Sequence, residues 1–477
     1  MNPTHSALFT DLYELTMIQG YYKFHENHDV VFDMFFRRPP FGGGFTIFAG
    51  LDDLIDQLEQ FRFSDEDIDY LRNQELFDEE FLDYLRDFRF RGEVHAMEEG
   101  SVVFPNEPLI RIHSSLIEAQ LIEGMLLNTI NFQTLIATKA ARVYTASNKG
   151  LVLEFGLRRA QGQDGAMSAS RAAFIGGAAA TSNTLAGKRF GIPVKGTMAH
   201  SWVMAFESER ESFERYAELY PDATILLIDT YSTLGSGIEH AIAVGKELKK
   251  KGHRFGVRLD SGDLEYLSKQ VRKRLDKAGL TDAQITASNE LNEEIIHQLI
   301  TSGSPIDSWG VGTSMVTGGD DSSLTGVYKL AAKGNGELQP TIKISNQPAK
   351  TTNPGTKQVH RFRDADGSPL ADLIALDSES VSEGERYTFN HPDLSARKFE
   401  MAHYGSIEPM LALKMTGGRR MEPVKPLTEL QQHCIASLEE FDETYKRIIN
   451  PHIYKVSLSN ELAAMKRELI DRYTTEI

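Results

Sequence analysis

Between residues 150 and 316 short apolar runs alternate with longer amphipathic stretches. The runs are LVLEF from Leu151, PVKG from Pro193, TILLID from Thr224, FGVRLD from Phe255, QITASN from Gln284 and SWGVG from Ser308. Each ends in a polar or glycine-rich turn, and most are followed by a helical pattern. Their spacing of roughly 23 to 42 residues suits successive βα units. Six units in line predict a parallel sheet, either a barrel or a doubly wound sheet. The polar positions favour the barrel. Arg158, then Thr197 with His200, Asp229, Arg258 with Asp260, Asn289, and Gly312 with Thr313 each follow a run. In a barrel all these strand ends meet on one face. In a doubly wound sheet only those near the switch point would meet. The expected class is therefore α/β, with a TIM-like α/β barrel, complete or incomplete.

The flanks read differently. Leu8, Leu12, Leu15, Met17 and Ile18 recur at helical spacing and predict a helix over 8–22 that contains Tyr13. Val30 to Phe36 is rich in strand formers, and Leu51 to Phe61 reads as an amphipathic helix. Ser64 with Asp67 three residues on marks the next helix start. Gly92 to Met97 and Ser101 to His113 read as strands, and Ser115 to Ser147 as one long helix. Ile192 to Gly196 is a further strand candidate. After 316, GVYKL, PTIKISN, KQVHRFRD and ADLIALD read as strands, with helices over 428–448 and 458–472. The expected regions are 1–149, mixed α+β with a linking helix; 150–316, the barrel carrying the site; and 317–477, strands and helices.

Composition narrows the function. Hydrophobic residues make up 41% and charged residues 25%, as in an ordinary globular protein. The formal net charge of −17 sets nucleic-acid binding aside. It does not exclude a small anionic ligand, because a local arginine cluster can override the global field. The single cysteine, Cys434, allows neither an internal disulfide nor a thiolate zinc cluster, which fits a reducing, cytoplasmic setting. MNPTHSALFTDLYEL lacks a signal-peptide pattern, and no run approaches the roughly 18 apolar residues of a membrane span.

The candidate chemistry is densest from Leu151 to Phe206. Arg158 and Arg159 follow the first strand, and Thr197 and His200 lie in a later turn. Arginines, a histidine and exposed amides at strand ends suit an anion. GVGTS, with Gly312 and Thr313, offers a second anion nest late in the barrel, where phosphate is often held. Plainer readings stand beside these. Phe155 and Tyr13 read equally as packing residues and His200 as a structural histidine. Arg159 is either a phosphate ligand or a surface charge. Asp229 and Asp260 suit Mg²⁺ or the caps of the helices that follow.

EFGLRRAQG, SNTLAG and GTMAHS, together with LFTDLYELTMIQGYY, VRLDSGD and GVGTS, occur in order from residue 8 to residue 314. This set resembles the nicotinate phosphoribosyltransferases of the type II phosphoribosyltransferase superfamily. The resemblance implies transfer of 5-phosphoribosyl from 5-phosphoribosyl 1-diphosphate to nicotinate, in NAD salvage. The products are nicotinate mononucleotide and diphosphate, and ATP hydrolysis is coupled through a phosphorylated His200. It implies that Phe155 stacks on the pyridine ring and that Tyr13 covers the other face from the partner subunit of a homodimer. Arg258 would grip the nicotinate carboxylate, with Thr197 nearby. Asn183 stands where nicotinamide enzymes carry Asp, which favours the acid. Arg158, Asp229, Gly312 and Thr313 would hold the phosphoribosyl donor, and Asp260 would act in catalysis and on Mg²⁺. The strands after 316 would join the N-terminal region. Alternatives are a nicotinamide or quinolinate enzyme on the same fold, a non-catalytic metabolite sensor, and a phosphate-binding barrel isomerase. Asn183 speaks against the nicotinamide enzyme. The second carboxylate of quinolinate calls for cationic contacts that the sequence does not offer. His200, Arg158, Arg258 and Asp260 together speak against the sensor, and TDLYELT against the isomerase.

Overall fold

A computed structural model describes residues 6–394 and 397–475. The chain divides into two compact units, one of Met1–Leu135 with Ser323–Ile477 and one of Ile136–Ser322.

In the second unit the apolar runs become six parallel strands: β1 (Leu151–Glu154), β2 (Ala180–Thr181), β3 (Thr224–Leu227), β4 (Phe255–Leu259), β5 (Gln284–Ala287) and β6 (Ser308–Val311). Their order across the sheet is β2-β1-β6-β5-β4-β3. The first strand pairs with the last, Leu151 opposite Ser308 and Glu154 opposite Val311. That order is the cyclic order of a barrel opened once, between β2 and β3, so the barrel is incomplete. A doubly wound sheet would instead reverse direction about its first strand. Leu226, Val257, Leu259 and Ile285 fill one side of the sheet with Phe213, Ile238, Val271 and Leu275 from the covering helices.

The opening explains one departure from the sequence pattern. Ile192 to Gly196 does not form a full strand; only Val194 bridges Thr181, in parallel. Thr181 N donates to Pro193 O at 3.0 Å, and Lys195 N donates to Thr181 O at 3.0 Å. Pro193 has no N–H of its own, which limits any ladder on its other side.

The first unit holds a seven-stranded sheet. Its inner strand Asp29–Phe36 pairs antiparallel with Ile110–Ser115 on one side and with Gly326–Gly334 on the other. Residues before 135 and after 323 thus share one sheet. A second, six-stranded sheet is built from strands between Lys357 and Leu458. Ser64 starts the helix Asp65–Arg72 with a full capping box: Asp67 N donates to Ser64 Oγ at 3.2 Å and Ser64 N to Asp67 Oδ2 at 2.8 Å. The helix expected over 115–147 is two helices, Leu116–Leu121 and Glu123–Ala146. Among the described residues no helix is long and apolar enough to cross a membrane.

Candidate active site

The C-terminal ends of the six strands open into a cleft of about 480 Å³, within the range that small-molecule sites occupy. Eight of the expected site residues line it: Phe155, Arg158, Thr197, His200, Arg258, Asp260, Gly312 and Thr313. Arg159 lines it too, so its charge faces the cleft. The lining carries three arginines against Asp260 and Glu290. The local balance is therefore positive in a chain of net charge −17, as a polyanionic ligand requires.

Arg258 is the hub. It is the last residue but one of β4, and its side chain is 13% exposed. Nε donates to Ser288 Oγ at 2.7 Å, Nη1 to Thr197 Oγ1 at 3.0 Å, and Nη2 to Asp260 Oδ1 at 2.9 Å. Ser288 Oγ in turn donates to the same Asp260 oxygen. Arginine, serine and carboxylate close a ring that fixes the guanidinium plane. The guanidinium lies 5.8 Å from the centroid of the Phe155 ring. The fork is therefore already engaged on its Nε edge, and the open grip expected from sequence is narrower than a free guanidinium offers.

Asp260 uses its two oxygens differently. Oδ1 serves the ring, whereas Oδ2 faces His200 Nε2 at 3.7 Å. The backbone N–H of Asp260 donates to Asp229 Oδ2 at 3.0 Å, and Ser261 Oγ donates to the same atom at 2.6 Å. Asp229 thus supports the turn that carries Asp260 and is not on the lining of the cleft. Its Oδ1 is buried without a hydrogen-bond partner. Neither aspartate caps the next helix. Asp263 does, accepting from Tyr266 N at 3.0 Å.

His200 begins the short helix His200–Met204 and is 41% exposed. Its Nδ1 lies 3.1 Å from Thr230 Oγ1. The imidazole is held on one edge by a hydroxyl and presents the other toward a carboxylate at the mouth of the cleft.

The Phe155 ring packs close against β6 where residue 310 is glycine. A Cβ there would stand 2.6 Å from Phe155 Cδ2. Gly310→Ala should push the ring off its seat, at a cost of about 1–3 kcal/mol as for other overpacked sites. The expected readout is a rise of about tenfold in KM for the base, with little change in KM for the phosphoribosyl donor.

Besides Asp229, two more expected site residues lie off the lining of the cleft. Asn183 is 3% exposed. Its Oδ1 caps the helix Thr184–Phe190 by accepting from Ala186 N at 3.2 Å, and its Nδ2 donates to Ser170 Oγ at 3.3 Å. Asparagine before a helix is a capping signal legible in sequence. Tyr13 belongs to the first unit, on the helix Leu12–Lys23, and is 49% exposed. Sequence reasoning missed Ser288, which is 2% exposed, and Glu154. The buried Glu154 carboxylate accepts from Ser170 Oγ at 3.0 Å, Thr181 Oγ1 at 2.5 Å and the Gly156 N–H. It pins the turn that leads to Arg158.

Comparison with known proteins gives the same site a family. Residues 8–131 match the nicotinate phosphoribosyltransferase N-terminal domain, 151–368 the nicotinate phosphoribosyltransferase family and 356–466 its C-terminal domain. The chain is 44% identical to a nicotinate phosphoribosyltransferase of Bacillus subtilis, over 99% of this chain and 96% of that one. It is 35% identical to the Homo sapiens enzyme, over 97% of this chain and 96% of that one. A crystal structure of human nicotinic acid phosphoribosyltransferase superposes with a TM-score of 0.85 at 33% identity, covering 96% of this chain and 99% of the other. The chain therefore belongs to the nicotinate phosphoribosyltransferase family, and it is an enzyme of that class.

Proposed function

We propose that the enzyme transfers 5-phosphoribosyl from 5-phosphoribosyl 1-diphosphate to nicotinate, giving nicotinate mononucleotide and diphosphate, and couples this to ATP hydrolysis through transient phosphorylation of His200. The observation that supports it is the convergence of Phe155, three arginines, His200 and Asp260 on one strand-end cleft. The base would stack on Phe155 with its carboxylate toward Arg258 and the Thr197 hydroxyl. The Nη2 edge of Arg258 carries a second N–H beside the one given to Asp260. Arg158 and Arg159 would take the diphosphate, and the amides at Gly312 and Thr313 the 5-phosphate.

The bond from ribose C1 to diphosphate breaks as the ring nitrogen of nicotinate approaches. Charge develops on a sugar cation and on the leaving diphosphate, so placement and electrostatics carry the catalysis. Asp260 Oδ2, on the lining of the cleft, would stabilise the cation, while the arginines offset the departing charge.

The donor set also suits Mg²⁺. Among the described residues no three acidic, histidine or cysteine side chains form a metal cluster. Mg²⁺ asks for less, commonly one or two carboxylates completed by phosphate oxygens and water. Asp260 Oδ2, which is left outside the arginine ring on the lining of the cleft, is the oxygen that would hold it. Bound there, Mg²⁺ would supply positive charge to the diphosphate.

A homodimer completes this reading. Tyr13 and Met17 lie one turn apart on the helix Leu12–Lys23 and are exposed, and Tyr13 would cover the base bound by the partner subunit. The setting is cytoplasmic NAD salvage. The test is product formation from 5-phosphoribosyl 1-diphosphate and Mg²⁺ with nicotinate or nicotinamide, each with and without ATP. Nicotinate mononucleotide formed faster or further with ATP is the expected result. Turnover of nicotinamide alone would overturn the choice of base, and nicotinate turnover indifferent to ATP would overturn the coupling.

A further inference from the structure

The first unit contains a cavity of its own, of about 540 Å³. None of its lining residues lines the cleft. Four of them share one face of the seven-stranded sheet. The strands Glu93–Ala96 and Ile110–Ser115 pair antiparallel, with Glu93 opposite His113 and His95 opposite Arg111. Side chains alternate along a strand. Val94, Ala96, Ile110 and Ile112 therefore enter the core, and the four polar residues take the other face. Leu338, Pro340, Leu376 and Met465 add apolar lining from the C-terminal part of the chain.

Arg111 is the residue that burial alone does not explain. It is 5% exposed. Its hydrogen bonds leave through Nη1, which donates to Lys357 O at 2.7 Å and to Asp377 Oδ1 at 3.1 Å. These two bonds hold the guanidinium in place. Its Nε is buried and has no hydrogen-bond partner among the described residues, and Nη2 donates to none of them. Nε and Nη2 together make the side-on fork with which arginine grips a carboxylate through two parallel bonds. A buried donor without an acceptor is costly. A ligand carboxylate would satisfy both nitrogens at once.

The surrounding charges narrow the ligand. The permanent charges on the lining are Arg111 against Glu93 and Asp377. Burial, and then the Arg111 charge, hold the His95 imidazole below its ordinary value, and its Nε2 stays 3.1 Å from Glu93 Oε2. A simple anion would meet Arg111 but add to two carboxylates that face one cation, and a phosphate would add more. A zwitterion adds no net charge. Its carboxylate takes the arginine fork, and its ammonium takes a carboxylate of the lining.

We propose that this cavity binds a free α-amino acid with a large apolar side chain. The carboxylate sits on the Nε–Nη2 edge of Arg111, the ammonium on Glu93 or Asp377, and the side chain against Leu338, Pro340, Leu376 and Met465. The site is separate from the transferase cleft and does not depend on the roles given to the residues there.

The test is isothermal titration calorimetry of the full-length enzyme with L-phenylalanine as probe. Two analogues each lack one charge: 3-phenylpropionate has no ammonium, and 2-phenylethylamine has no carboxylate. Saturable binding of L-phenylalanine is expected, with both analogues weaker by about tenfold or more. Arg111→Lys keeps the charge but loses the fork, and should weaken binding by a similar factor. Leu338→Trp should lose binding by filling the cavity from a half-buried position, so the test stands even where a change at Arg111 prevents folding. A thermal melt shows which variants fold. Arg258→Ala should bind L-phenylalanine as the wild type does. Absence of saturable binding up to about 10 mM would overturn the proposal. Equal binding of either analogue would remove the zwitterion. Unchanged binding in Leu338→Trp, or its loss in Arg258→Ala, would place the amino acid outside this cavity.

Discussion

Arg258→Ala should lower kcat/KM for nicotinate by about 30-fold to several thousand-fold, the range expected when one partner of a desolvated, hydrogen-bonded charge pair is removed at about 2–5 kcal/mol. Two losses combine. The substrate carboxylate loses a charge-assisted donor, and Asp260 loses the guanidinium that balances it at 2.9 Å. An uncompensated Asp260 then repels both nicotinate and diphosphate. Arg258→Lys should recover little, because one ammonium cannot reach Ser288, Thr197 and Asp260 together as the fork does. Steady-state kinetics with nicotinate, beside a thermal melt to show that the variant folds, measure this. A loss of less than threefold would remove Arg258 from the base pocket.

The ring around Arg258 also shows where sequence reading stops. Arg258 and Asp260 are legible because they lie two residues apart after an apolar run, and the barrel sends strand ends to one face. Ser288 closes the ring from the next strand, where a serine after an alternating run looks like any turn residue. The pairing of β4 with β5 brings it there, Thr286 opposite Arg258, and register is not written in either strand alone. The same holds for Asp229. Sequence places it at a strand end, but a strand end can face the ligand or support its neighbour, and only the hydrogen bond to the Asp260 N–H decides. Asn183 carried two signals at once, a family motif and a helix cap, and the cap is what its side chain forms. The barrel itself was readable because period and spacing repeat over six units. The opening between β2 and β3 was not, since PVKG has the composition of a strand but makes only an isolated bridge.

His200→Ala should abolish the effect of ATP while retaining ATP-independent transfer of phosphoribosyl to nicotinate. A neutral imidazole is a competent nucleophile near neutral pH, and here His200 lines the cleft and is partly exposed. The phosphoryl group would place new negative charge on a ring whose Nε2 stands 3.7 Å from Asp260 Oδ2. It would also offer fresh acceptors to Arg158 and Arg159, or to Mg²⁺, and so favour the liganded arrangement. Hydrolysis would remove that charge and release product. A tenfold effect of ATP on apparent affinity needs only about 1.4 kcal/mol of difference between the two forms, well within one charge-assisted contact. None of the atoms transferred from the phosphoribosyl donor to nicotinate passes through the imidazole, which is why the transfer itself should survive. The measurements are initial rates with and without ATP, and acid-labile phosphate on the protein after exposure to ATP. The variant should show neither ATP stimulation nor labelled protein. Equal loss of both activities would make His200 part of the transfer step rather than of the switch, and labelled protein in the variant would place the phosphoryl group on another residue.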